Sequence, residues 1–104
     1  YKAFHAAEIG YVFGDLTMFG ARPVAADFRF SNLMMNIWST FARTGDPNVA
    51  ELPQWQAFTA EGEDYMELGP TLSAGSKLRM SQMRLVEQAW AARRAATRQA
   101  RVRN

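Results

Sequence analysis

Phe4-His5-Ala6-Ala7-Glu8-Ile9-Gly10-Tyr11-Val12-Phe13-Gly14 holds the only histidine of the 104-residue chain, and the chain has no cysteine. Imidazole, with an ordinary pKa of about 6.5, is the side chain best placed to take and return a proton near neutral pH. After His5, the residues Ile9, Val12 and Phe13 recur at helical spacing and Gly14 offers a stop. Glu8 falls in the first turn, where a carboxylate suits the positive end of the helix dipole. No partner nucleophile follows His5 in a recognisable motif.

Outward from this stretch, residues 15–28 read as an irregular connection marked by Gly20, Pro23 and Asp27. The strongest expected helix covers about residues 29–43, where Phe30, Leu33, Met34, Ile37, Trp38 and Phe41 form a broad apolar stripe. Such a stripe must pack against something large, which makes these residues core before pocket. Thr44-Gly45-Asp46-Pro47-Asn48 ends the helix, with Gly45 able to take a left-handed cap and Pro47 unable to continue. Turn chemistry accounts for Asp46 without a mechanistic role.

Leu52-Pro53-Gln54-Trp55-Gln56-Ala57-Phe58 reads as a loop pinning two aromatic rings. Tyr65-Met66-Glu67-Leu68 alternates as a short edge strand, closed by Gly69-Pro70, and residues 71–80 read as loop. From about Ser81 to Val102 the chain is rich in the helix formers Ala, Arg and Gln. Its apolar face is clear only at Met83, Val86 and Trp90.

Composition bounds the chemistry. The chain is 48% hydrophobic, 12% aromatic and 21% charged, a globular mixture that could bury roughly 65% of its unfolded surface if it folded alone. Without cysteine there is no disulfide framework or thiolate site, and one histidine excludes two-histidine zinc patterns. No metal or other cofactor is expected. No apolar run reaches the ~20 residues of a membrane span, and no signal-peptide pattern opens the chain. It begins with Tyr1 rather than Met, so the expectation is that the natural start, and any targeting signal, lies upstream; compartment is left open. The net charge of +2 is divided: residues 1–76 carry four basic and nine acidic side chains, a balance of −5, whereas residues 77–104 carry eight basic side chains and Glu87 alone, a balance of +7. Arg84, Arg93, Arg94, Arg98, Arg101 and Arg103 read as spread around the helix with no aromatic residue interleaved after Trp90. A solvated helix is therefore expected, with neither nucleic acid nor membrane as partner.

Four blocks together resemble one family. Ala3 to Gly14 looks like the histidine loop of type-B carboxylesterases, the cholinesterase-like branch of the α/β-hydrolases. Trp38-Ser39-Thr40-Phe41-Ala42-Arg43-Thr44-Gly45-Asp46-Pro47-Asn48 looks like the family's following helix and turn. Pro53-Gln54-Trp55-Gln56-Ala57-Phe58 and Tyr65-Met66-Glu67-Leu68-Gly69 resemble its next two blocks, in the same order and at compatible spacing. Two positions depart from the pattern: Ala6 stands where glycine is usual, and Gly10 where proline is common.

The resemblance implies an α/β fold of which residues 1–104 are a C-terminal segment, mostly helical with one short edge strand. Residues 1–80 would be the histidine loop and packing helices, and 81–104 a basic terminal helix. It implies that His5 is the histidine of a serine–histidine–acid triad, with Glu8 as a supporting group and Phe4 and Phe13 within reach of a substrate pocket. In α/β-hydrolases the nucleophile comes first, then the acid, then the histidine, so a segment opening at the histidine should contain neither partner. None is visible: Ala74-Gly75-Ser76-Lys77-Leu78 is the nearest approach to Gly-x-Ser-x-Gly. The implied partners are a small-molecule ester and the upstream part of the same protein. Two rivals stand beside this reading: a small helical adaptor binding through its basic tail, and a non-catalytic cholinesterase-like protein.

Overall fold

The structure is a computed structural model and describes residues 4–102. Ala3, with which the histidine block begins, and Arg103 of the basic tail lie outside the described residues. In chain order the elements are α1 (Ala7–Phe13), a 3-10 turn (Met18–Gly20), α2 (Ala25–Thr44), β1 (Asp64–Glu67), β2 (Ser73–Ser76) and α3 (Met80–Val102).

The 20-residue α2 starts four residues before the expected boundary. Its first turn is made possible by Asp27, whose carboxylate accepts the Val24 N–H at 2.7 Å. Valine has no side-chain acceptor to return the favour, so this is half of a reciprocal cap. Asp27 is thus not part of the connection but the third helical residue, where a carboxylate meets the positive helix end. At the other end Gly45, at φ 77°, takes the left-handed conformation and its N–H reaches the Phe41 carbonyl at 2.8 Å.

Below the cap, Asp46 does the turn chemistry expected of it. Its Oδ1 accepts the Asn48 backbone N–H at 2.9 Å and the Asn48 side-chain amide at 2.7 Å. The same amide group then clips the Trp55 backbone, accepting its N–H at 2.7 Å and donating to its carbonyl at 3.0 Å. Two segments seven residues apart are thereby tied without a helix or sheet.

The sheet is larger than expected by one strand. Residues 73–76, read as loop, form β2 and pair antiparallel with β1 in the register Asp64–Ser76, Tyr65–Gly75, Met66–Ala74 and Glu67–Ser73. Ser-Ala-Gly-Ser carries almost no strand propensity; pairing with β1, not local preference, makes it extended. Tyr65 accounts for Gly75. A methyl group on Gly75 would stand 2.6 Å from the Tyr65 ring, which therefore lies directly across the glycine.

Burial is thin. The buried apolar side chains among the described residues are Leu16, Met34, Ile37 and Met66, with Ser31 the buried polar one. Helix α1 packs on α2 and β1 on β2, and no other pair of elements is packed as closely. The radius of gyration is 19.2 Å, whereas a compact domain of this length would have about 13 Å. The apolar stripe of α2 is covered at Met34 and Ile37 but leaves Trp38 and Phe41 exposed. Trp38 and Phe41 of α2, and Met83, Leu85 and Trp90 of α3, are exposed apolar side chains that no described element covers.

Candidate active-site histidine loop

His5 sits in an exposed turn immediately before α1. The turn is closed by the Ala7 N–H donating to the Phe4 carbonyl at 3.0 Å, and the Ile9 N–H reaches the Ala6 carbonyl at 3.2 Å. His5 and Ala6 are the two central residues, and Ala6 lies at φ 67°, ψ 12°. A positive φ at the third turn position is what a glycine supplies without strain. This gives the departure noted in the sequence a conformational meaning: alanine occupies a left-handed site.

The rest of α1 is held by polar contacts rather than by apolar burial. It is seven residues long, and its one buried residue is Gly10. Gly10 permits a close approach: a Cβ there would stand 2.8 Å from the Asp15 carbonyl oxygen. Tyr11 makes the main attachment. Its hydroxyl donates to Asp27 Oδ1 at 2.9 Å, and its ring meets Phe30 edge-on with centroids 5.2 Å apart. Its backbone carbonyl, near the C-terminal end of α1 where helical partners run out, accepts the Ser31 hydroxyl at 2.7 Å. Ser31 is only 3% exposed, so this bond is formed away from water.

These contacts also set the electrostatics. The backbone N–H of Val24 and then the Tyr11 hydroxyl hold the Asp27 carboxyl below its ordinary range. The same bond, together with partial burial and the negative charge of Asp27, pushes the Tyr11 phenol above its ordinary value. Backbone and side-chain donors from Asn48 likewise hold Asp46 low.

Of the residues singled out from sequence, Phe4, His5 and Glu8 fall together around one turn, while Phe13 stands at the far end of α1, about 10 Å along its axis. All four are exposed, Phe13 at 77% against 49% for Phe4. Among the described residues no side chain hydrogen-bonds the imidazole, and two surface hollows lie elsewhere. One is walled by Glu61, Glu63, Lys77 and Arg84 between the hairpin and α3. The other runs along α3 and is lined by Trp90, Arg93, Arg94, Thr97, Arg98 and Arg101. Four of the arginines expected to be spread around the helix thus share one side, with Arg93 stacked 5.6 Å from the Trp90 ring. Arg94, Arg98 and Arg101, at spacings of three, four and seven, return to the same face of a 3.6-residue helix, with Arg93 at its edge. Tyr11, Asp27 and Ser31 were not singled out from sequence. The signal available was the placement of Asp27 four residues after Pro23, at the start of a strongly periodic helix.

Among the described residues no group of three or more His, Cys, Asp or Glu side chains could hold a metal ion, and no helix is long and apolar enough to cross a membrane. What the geometry offers chemically is one exposed imidazole on a strained turn, fixed to a longer helix through Tyr11.

Comparison with known proteins bears on this directly. The model of the Carboxylesterase family matches residues 1–86. Carboxylesterase 3 of Pongo abelii is 43% identical over 89 residues, covering 79% of this chain and 16% of its own length. Carboxylesterase 5A of Mus musculus is 40% identical over 84 residues, covering 75% of this chain and 14% of its own. Among solved structures, a PNB esterase superposes with a TM-score of 0.72 at 29% identity, over 80% of this chain and 18% of that one. The chain spans about one-sixth of the length of the relatives it matches. The esterase neighbours give the matched four-fifths of the chain an α/β-hydrolase fold.

Proposed function

Since the chain belongs to the carboxylesterase family, we propose that it supplies His5 as the proton-transferring histidine of a serine esterase whose nucleophile and orienting acid lie outside these 104 residues. The observation that carries this reading is the place of His5: an exposed turn, held against a helix within the family-matched residues. In the reaction, His5 accepts the proton of the serine hydroxyl as the oxygen attacks the ester carbonyl. The tetrahedral adduct collapses, the alkoxy group leaves, and His5 gives it that proton to form the alcohol. Water then enters, loses a proton to His5 and attacks the acyl-enzyme; the carboxylic acid departs as serine regains its proton. A buried carboxylate orients the ring and stabilises its charged form.

Other residues take lesser parts. Glu8, exposed in the first turn of α1, supports the loop and is not the triad acid. Phe4 and Phe13 have apolar surface to offer a substrate pocket completed by the rest of the protein. No cofactor is required, because proton transfer and covalent catalysis account for every step.

The test is His5→Ala in the complete protein. Hydrolysis of a p-nitrophenyl ester should fall by roughly a thousandfold or more. An active His5→Ala variant overturns the assignment. The 104-residue chain alone should hydrolyse no ester.

A further inference from the structure

Helix α1 poses a mechanical problem. A seven-residue helix is too short to be stable by itself, and the one residue it buries is a glycine. Apolar packing leaves the rotation and sliding of α1 on α2 to side chains that are only half-buried, among them Tyr11 and Val12. Yet His5 precedes α1 by two residues and shares its backbone hydrogen bonding through Ala7 and Ile9, so any such movement reaches the imidazole. Misplacement of a reacting group by about 1 Å can cost a hundredfold in rate.

The contacts at Tyr11 resolve it, and we propose that Tyr11 and Ser31 are positioning residues that set the rotation and height of α1 on α2, and through it the place of the His5 ring. Two separated points of one residue are gripped. The hydroxyl of Tyr11 reaches Asp27 at 2.9 Å, and its backbone carbonyl is met by Ser31 at 2.7 Å. One bond would leave α1 free to pivot; two bonds to residues a turn apart on α2 do not. Asp27 is itself steadied, since its second oxygen takes the Val24 N–H. The ring of Tyr11 is also steadied, edge-on against Phe30. Nothing else in α1 makes a comparable bond: the side-chain hydrogen bonds from it to α2 among the described residues run through Tyr11.

This rests on the proposed role of His5, and the experiment separates the two. In the complete protein, Tyr11→Phe and Ser31→Ala are assayed with a p-nitrophenyl ester, and the burst of p-nitrophenolate counts competent sites. Thr44→Ala serves as the control, because its hydroxyl bonds the Thr40 carbonyl within α2 and does not meet α1. Expected are an undiminished burst, kcat lowered about three- to tenfold per competent site, KM within about twofold, and an unaffected control. Tyr11→Phe keeps the ring against Phe30 and so guards against simple unfolding. Wild-type kcat per competent site in both variants overturns the positioning role, whether the burst is full or reduced. If His5→Ala is silent in the same assay while both variants turn over normally, the histidine assignment stands and the positioning role falls. If His5→Ala is active, both fall.

Discussion

Replacing Ala6 by glycine should make the histidine turn more stable, an unusual direction for a substitution to glycine. Ala6 lies at φ 67°, ψ 12°, a region that costs an L-residue about 1–2 kcal/mol relative to right-handed backbone. Glycine removes that cost, but it also frees the unfolded chain, which takes back about 0.4–1 kcal/mol. The two ranges leave a gain of between about 0 and 1.6 kcal/mol for the turn, about 0.8 kcal/mol at their centres. At 1.36 kcal/mol per decade, that central value makes local opening about fourfold rarer. Hydrogen exchange followed by mass spectrometry on the complete protein can read this at the Ala7 and Ile9 amides, whose acceptors are the Phe4 and Ala6 carbonyls. Ala6→Val should go the other way, since a β-branched residue at positive φ is a true outlier. Unchanged or faster exchange in Ala6→Gly would refute the claim that this turn is strained.

Two other predictions concern the attachments around it. Gly75→Ala should cost about 1–3 kcal/mol by driving the added methyl into the Tyr65 ring, seen as a lower melting temperature and a changed near-ultraviolet dichroism; an unchanged spectrum would mean that the ring does not lie over the glycine. For pH, Asp27 is held low, so its contribution is present above the unfolded carboxyl value of about 3.8 and is lost as pH falls through the folded one. Tyr11 is held high, so its contribution is present below about 10 and is lost as pH rises through the folded phenol value. The bond between them should therefore persist from about pH 4 to 10. In an ultraviolet titration of the complete protein, Asp27→Ala should shift one late-titrating phenol to lower pH; a curve identical to that of the unsubstituted protein would contradict it.

Much of this was legible in the chain. The spacing of Phe30, Leu33, Met34 and Ile37 gave α2 its inner face, and Gly14 and Gly45 marked helix ends that the structure places at φ 73° and 77°. These features were legible because they are local: periodicity and glycine conformation need no knowledge of what lies across from them. What was missed depends on contact. Ser73–Ser76 became a strand because β1 is beside it, and Asp27 became a cap and a Tyr11 acceptor because α1 folds back onto it. The shared face of Arg94, Arg98 and Arg101 could have been read from spacing, by following the 3.6-residue period along α3. The histidine loop was recognisable only as a pattern of residues. Its left-handed Ala6 is a backbone property that composition does not announce.

The attachment of α1 to α2 also bears on when the histidine loop takes shape. Its two bonds span 16 and 20 residues of chain, short separations of the kind that let helical hairpins form early and fast. Closing a loop of about ten residues takes roughly 10–100 ns, and helices this short relax within about a microsecond. Contacts across a whole hydrolase domain must wait for hundreds of residues to be in place. The turn that carries His5 can thus be assembled as a local unit, so that the slow, non-local part of folding has only to dock it.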